Sequence, residues 1–369
     1  MSENDLHLPN LTIRRFRGIQ DLSIERLGRV TLIAGKNGVG KTTVLDAVRA
    51  YAARGQHAVL LSILGSREEL TSSADEDGDK SVGPDWEALF YGRRILPDTD
   101  IVIGQTGTSR YLRVEATPVA GAKAAKWESN IRGVLMGNDG WMFRITYSDD
   151  EQAASRFSLR KASNSFEFSE ETELPPVIRC ESLGPNVLDN TAIARLWDKV
   201  ALTDDEGRAL EALRLVFGAT IERVAVIGDV QSVTARLGRR AVVRLAGQER
   251  PVPLRSLGDG AVRLFGVALA LANSQGGFLL IDEAENGIHH TIQRDFWRMA
   301  LLTAQANNVQ VFATTHSWDC VAGFAQAAVA AEGVEGALVR LDSDGEGIRA
   351  VEYSEEDLQV AAEQGIEVR

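Results

Sequence analysis

The chain has 369 residues, enough for one large domain or two, and its 44% hydrophobic content is ordinary for a globular protein. A formal net charge of −12 argues against a generally basic, non-specific nucleic-acid coat, though not against a local basic patch. Cys180 and Cys320 make no disulfide framework or repeated metal-ligand spacing. Residues 1–10 carry no apolar signal core, and no run nears the roughly 20 apolar residues that span a bilayer, so a cytoplasmic protein without membrane contact is expected.

Residues 11–24 read as two short strands about a turn at Gly18. Arg14, Arg15 and Arg17 fall there, and serve equally as surface charge or as groups near a nucleotide. Residues 29–34 form an apolar run, then come Gly35, Lys36, Asn37, Gly38, Val39, Gly40, Lys41, Thr42 and Thr43. The spacing fits G-x-x-x-x-G-K-[ST], a phosphate-binding loop. Its glycines let successive backbone N–H groups face phosphate oxygens, Lys41 would reach the β- and γ-phosphates, and the Thr42 hydroxyl would sit on Mg²⁺. Residues 43–51 read as the helix leaving the loop, its positive end toward the phosphates, stopped by Gly55.

Beyond this helix, residues 72–84 are acidic and rich in small polar types, which predicts a mobile loop. Short strands are expected at 101–103, 111–114, 141–145 and 157–159, making residues 65–175 a β-rich insertion or lobe. Helices follow at 191–199 and 204–217, with strands near 221–227 and 241–245. Arg236, Arg239, Arg240, Arg244, Arg250 and Arg255 cluster here, as a solvated hairpin face or as a phosphate-facing surface for DNA or RNA. Residues 258–273 begin in glycines and continue as an apolar helix.

Residues 277–283 form an apolar strand ending in two carboxylates. Asp282 can hold Mg²⁺ through water opposite Thr42, and Glu283, pointing elsewhere, can orient the attacking water as general base. Residues 308–317 form another apolar strand with a polar end, where His316 could bond the γ-phosphate or the catalytic water.

This order of motifs resembles the ABC-type ATPase heads. The Ile-x-x-Phe-Arg-Gly opening and the run from Asp282 to His289 narrow the likeness to the SMC/RecF/OLD branch, and to stand-alone AAA-type OLD-like ATPases. The resemblance covers most of residues 10–60 and 250–320. It implies an α/β fold: a P-loop NTPase of ABC-ATPase-head type, a mixed sheet flanked by helices, with the β-rich insertion. Residues 1–369 would then be one ATPase domain, with 318–369 a short C-terminal cap. Residues 35–43 become Walker A, Asp282 the Walker B aspartate, Glu283 the catalytic glutamate and His316 the switch histidine.

Glu285, Asn286 and Gly287 fall at the family's D-loop, which touches the opposite subunit. Leu257, Gly258, Asp259 and Gly260 align with the Leu-Ser-Gly-Gly signature. Gly258 occupies the usual serine position, so either Ser256 takes over the γ-phosphate contact or backbone N–H groups make it alone. Gln105 is the candidate for the family's Q-loop glutamine.

The resemblance also implies ATP and Mg²⁺ as ligands. It further implies a homodimer, possibly a higher oligomer, that sandwiches ATP between Walker A of one chain and the signature of the other. The tail after His316 leaves no room for the TOPRIM nuclease of OLD proteins. The expected function is thus a nucleotide-gated dimeric ATPase switch controlling a separate effector, such as a nuclease, in anti-phage or anti-plasmid defence. The alternative is an ATP-held DNA clamp or scaffold of RecF-like repair type; an ABC transporter subunit is disfavoured by the opening, the insertion and the run after Asp282.

Overall fold

The computed structural model describes all residues except 1–5, 75–79, 97–98, 119–140, 150–154, 163–164, 171–175, 229–238, 332, 344, 346, 355–356, 358–359 and 361–369. Its strands are β1 (Leu11–Phe16), β2 (Ile19–Ile24), β3 (Val30–Ala34), β4 (Leu70–Ala74), β5 (Lys80–Pro84), β6 (Asp100–Gly104), β7 (Tyr111–Pro118), β8 (Trp141–Ser148) and β9 (Ser155–Ala162). They continue as β10 (Ser165–Glu170), β11 (Cys180–Leu183), β12 (Ile221–Ile227), β13 (Arg240–Leu245), β14 (Val252–Pro253), β15 (Phe278–Ile281), β16 (Gln310–Thr315), β17 (Gly336–Ser343) and β18 (Ile348–Tyr353). The helices are α1 (Lys41–Ala52), α2 (His57–Gly65), α3 (Asn190–Val200), α4 (Asp204–Phe217), α5 (Asp259–Asn273), α6 (Gln293–Ala306) and α7 (Trp318–Ala330).

Two sheets organise the molecule. The central one runs β11-β15-β16-β3-β17-β18, parallel throughout except for the antiparallel β17–β18 pair. Its inner strands β15, β16 and β3 are buried on both faces, as a parallel sheet covered on both sides requires. Leu279, Ile281, Val311 and Ala313 face a core shared with α3 to α7, while Phe278, Leu280 and Phe312 face one shared with α1 and the second sheet. That second sheet is antiparallel, in the order β10-β9-β8-β7-β6-β1-β2. A mixed sheet flanked by helices and opened by a phosphate-loop turn is the α/β P-loop fold of an ABC-type head.

Three segments depart from the sequence reading. Strands β6 to β10 continue the sheet begun by β1 and β2, and β6 to β8 share a core with the first strands of the chain. The expected loop at 72–84 is largely an antiparallel pair, Leu70 facing Pro84 through to Ala74 facing Lys80. Its ends are tied because Asp85 N donates to Glu69 O at 2.9 Å, and the Glu69 carboxylate takes Arg17 Nη2 on both oxygens at 2.8 Å within a buried pair. The tail is not simply a cap: β17 pairs along the whole of β3, because Ala337, Leu338, Val339 and Leu341 are apolar and buried inside the sheet. The end of the expected cap, after residue 354, lies largely outside the described residues.

Candidate functional site

Parallel strands bring their C-terminal ends to one edge, so the chain segments leaving β3, β15 and β16 meet there. Gly35 leaves β3 with φ +146°, and a Cβ at that position would stand 2.7 Å from Leu341 O of the neighbouring strand. Gly40, at φ +101°, caps α1 against Ile348 and Ile19. Only glycine takes both conformations without strain. Lys36, Asn37 and Gly38 are exposed at the tip, whereas Val39 and Thr43 are buried and anchor the loop to its helix.

The Lys41 ammonium folds back over the loop, donating to Gly35 O at 2.7 Å and Lys36 O at 3.0 Å. Burial lowers its pKa, and the carboxylates of Glu285, Asp282 and Glu283 oppose that shift in this order. The Thr42 hydroxyl, one residue on, donates to both oxygens of Asp282 at 3.2 and 3.1 Å. Thr314 Oγ1 donates to Asp282 Oδ1 at 2.5 Å, so this carboxylate is held by two hydroxyls from two other elements.

Glu283 takes φ +47° immediately after the strand, which turns it away from Asp282. Thr314 fixes the turn, accepting from Glu283 N at 2.9 Å through its hydroxyl and from Ala284 N at 2.9 Å through its carbonyl. Asn286 Nδ2 donates to Glu283 Oε2 at 2.6 Å, and Glu283 Oε1 stands 3.9 Å from His316 Nδ1. His316 is exposed, and Glu285 Oε1 lies 2.9 Å from its backbone N and 3.1 Å from its Nδ1.

Lys41, Thr42, Asp282, Glu283 and His316 therefore share one edge. Glu285 and Asn286 hold His316 and Glu283 of their own chain. The reason is local: a tight turn with Asn286 N on Glu283 O and Ile288 N on Glu285 O folds residues 283–288 back on themselves. Gln105 is not at the site. Its amide donates to His7 O at 2.8 Å, and His7 binds Gly276 O ahead of β15, at the opposite end of the parallel strands.

Ser256 lies exposed in a short turn (Leu254–Leu257), and Gly258 to Gly260 start α5. Gly260 packs against Gly287 O, 2.8 Å from where its Cβ would stand. No contact among the described residues joins Ser256, Gly258, Asp259 or Gly260 to Lys41 or Thr42.

Arg263 was not singled out by sequence reasoning. It is fully buried on α5, and its Nη1 donates to Gly184 O at 2.6 Å and Asn186 O at 3.3 Å. Its Nη2 donates to Asp282 O at 3.0 Å and Glu283 O at 3.4 Å. The signal was present: an arginine amid Val262, Leu264 and Phe265 on an apolar helix must have partners inside. The arginine cluster is partly neutralised, since Arg239 pairs with Asp198 and Arg244 Nε with Glu222 at 3.0 Å. Arg240, Arg250 and Arg255 are exposed, and Arg236 lies outside the described residues.

Oxygen donors suit a hard divalent cation, and the Thr42 hydroxyl facing the Asp282 carboxylate is such a set. Loop amides, an ammonium and a helix start beside it are groups that would suit phosphate oxygens.

Comparison with known proteins agrees with this geometry. A family model described as AAA domain matches residues 10–56. A second, described as AAA domain, putative AbiEii toxin, Type IV TA system, matches residues 188–319. The uncharacterized protein MJECL11 of Methanocaldococcus jannaschii is 34% identical over 115 residues, 31% of this chain and 99% of that protein. An ATP/GTP phosphatase of Helicobacter pylori is 19% identical over 347 residues, 85% of this chain and 86% of the relative. The SMC head domain from Thermotoga maritima aligns over 95% of this chain and 100% of that one, at 12% identity and a TM-score of 0.43. That likeness is too loose to carry weight alone.

Proposed function

We propose that the chain, whose residues 10–56 and 188–319 match AAA-domain family models, is a P-loop ATPase with an ABC/SMC-type head that binds and hydrolyses ATP as a nucleotide-gated switch. One observation carries the reading. The Thr42 hydroxyl and the Asp282 carboxylate face each other at 3.1–3.2 Å, while Lys41, Glu283 and His316 gather around the same sheet edge. Each group then has work suited to its chemistry. Lys41 exchanges its two loop carbonyls for phosphate oxygens, and Thr42 and Asp282 hold Mg²⁺, which supplies charge neutralisation when bound. Glu283 accepts a proton from the attacking water, and His316 binds beside the γ-phosphate.

The exposed stretch Ser256 to Asp259 supports a dimer that closes on nucleotide. Gly258, at φ +98° with open space around it, presents backbone where a second copy's triphosphate would lie. Closure would depend on the γ-phosphate and hydrolysis would release it, which suits control of a separate effector. The family description that names a toxin–antitoxin system supports a setting in defence. The name of the Helicobacter pylori relative makes GTP the alternative substrate to include.

Steady-state phosphate release from ATP and from GTP, wild type against Glu283→Gln, tests the reading. A drop of about 10²-fold or more in kcat is expected for the variant. Equal and negligible rates in both would remove the enzymatic reading. Light scattering with and without ATP tests the dimer, which Glu283→Gln should trap.

A further inference from the structure

We propose that Glu285 is the positioning residue of His316, fixing its ring orientation and tautomer through one carboxylate oxygen. This rests on the reading of His316 as the γ-phosphate-side histidine. Glu285 Oε1 touches the histidine twice, at 2.9 Å from the backbone N and 3.1 Å from Nδ1. The backbone N–H donates to Oε1, and Nδ1 lies at ion-pair distance from the same oxygen; with the imidazole proton on Nδ1, facing that acceptor, Nε2 is left for the site. Gripping backbone and ring together removes the freedom of both the turn after β16 and the imidazole.

Glu283 does not do this. Its nearer oxygen stands 3.9 Å from the same Nδ1, beyond hydrogen-bond length, and its other oxygen is taken by Asn286. The two carboxylates thus divide the labour: Glu283 is held off the histidine, and Glu285 holds it.

Glu285 is built for a fixed position rather than for solvent. Its side chain is nine-tenths buried, and its second oxygen, Oε2, has no hydrogen-bond partner. A buried carboxylate oxygen left unpaired is costly, and such a cost is retained at sites where geometry matters more than stability.

The test reads the tautomer directly in nucleotide-free protein, so it stands apart from any failure of the ATPase reading. Full-length protein with ¹⁵N-histidine is examined at pH 9 by long-range ¹H–¹⁵N correlation, with His316 assigned by loss of its signal in His316→Gln. The expected result is Nδ1–H in the wild type and in Glu285→Gln, whose amide oxygen still accepts. In Glu285→Ala the proton moves to Nε2, while His7, His57, His289 and His290 keep their signals. Glu285→Ala should lower kcat about tenfold or more with KM for ATP held within about twofold, and Glu285→Gln should restore most of the rate. Should Glu285→Ala fail to fold, Glu285→Asp gives the same readout, since its shorter arm cannot reach both His316 nitrogens. Nε2–H in the wild type, or Nδ1–H persisting in the Ala or Asp variant, overturns the proposal.

Discussion

The guanidinium of Arg263 ends on the backbone of Asp282, with Nη2 at 3.0 Å from the carbonyl oxygen. It ties the helix that begins at the exposed Gly258–Gly260 stretch to the strand end carrying the site's carboxylates. The same group also holds Gly184 and Asn186, so three chain segments meet at one buried cation. Any movement of α5 would be felt directly at Asp282.

Replacing Arg263 with Met should destabilise the fold by about 3–5 kcal/mol, because carbonyls from two segments lose their donor inside the protein. Lysine will not substitute, since one ammonium cannot bridge both sides of the fork. Urea unfolding of both variants measures the loss; a wild-type midpoint in Arg263→Met would show that the cation is dispensable.

Cys320 predicts a dependence of stability on alkaline pH. Burial pushes its thiol up to about 12 from 9.0, with the Glu285 carboxylate adding to the shift. A folded pKa above the unfolded one means that this stability is complete below pH 9 and is lost as pH rises from 9 toward 12. Between pH 8 and pH 10.5 the wild type should lose about 2 kcal/mol more than Cys320→Ala, read by urea unfolding at both values. The native thiol should also resist Ellman's reagent at pH 8.

Gly277, just ahead of β15, has no room for a side chain: a Cβ there would overlap the carbonyl oxygen of Arg179. Gly277→Ala should cost about 1–3 kcal/mol by pushing β15 off β11. A melting temperature unchanged in Gly277→Ala would mean that the backbone gives way freely.

The arginine cluster should be a weak nucleic-acid surface. Arg239 and Arg244 already face Asp198 and Glu222, and a paired arginine releases few counterions from DNA. Charge reversal of Arg239 and Arg244 is expected to leave duplex DNA binding within about twofold at physiological salt. A tenfold loss with a shallower salt slope would reinstate a phosphate-facing surface.

Much of the site was legible because its geometry is local. Gly35 to Thr43 specify their loop by spacing alone, since glycine conformations and a helix start are set within a few residues. Asp282, Glu283 and His316 each stand just beyond an apolar run, and parallel strands place such ends on one edge. The mixed α/β fold was implied by the resemblance to ABC-type ATPase heads that these motifs carry.

What the tertiary structure decided were contacts between segments distant in sequence. Nothing near Glu285 announces that it folds back on His316, and nothing near Arg263 names its four carbonyl partners. Glu69, at the base of the β4–β5 pair, meets its buried partner Arg17 only once the sheet has formed. Gln105 is sequestered at the far end of the strands by His7. Sequence fixes what a residue can do chemically and where its own element begins and ends. Which partner it meets depends on packing, because a buried charge must find its counterpart wherever the folded chain brings one.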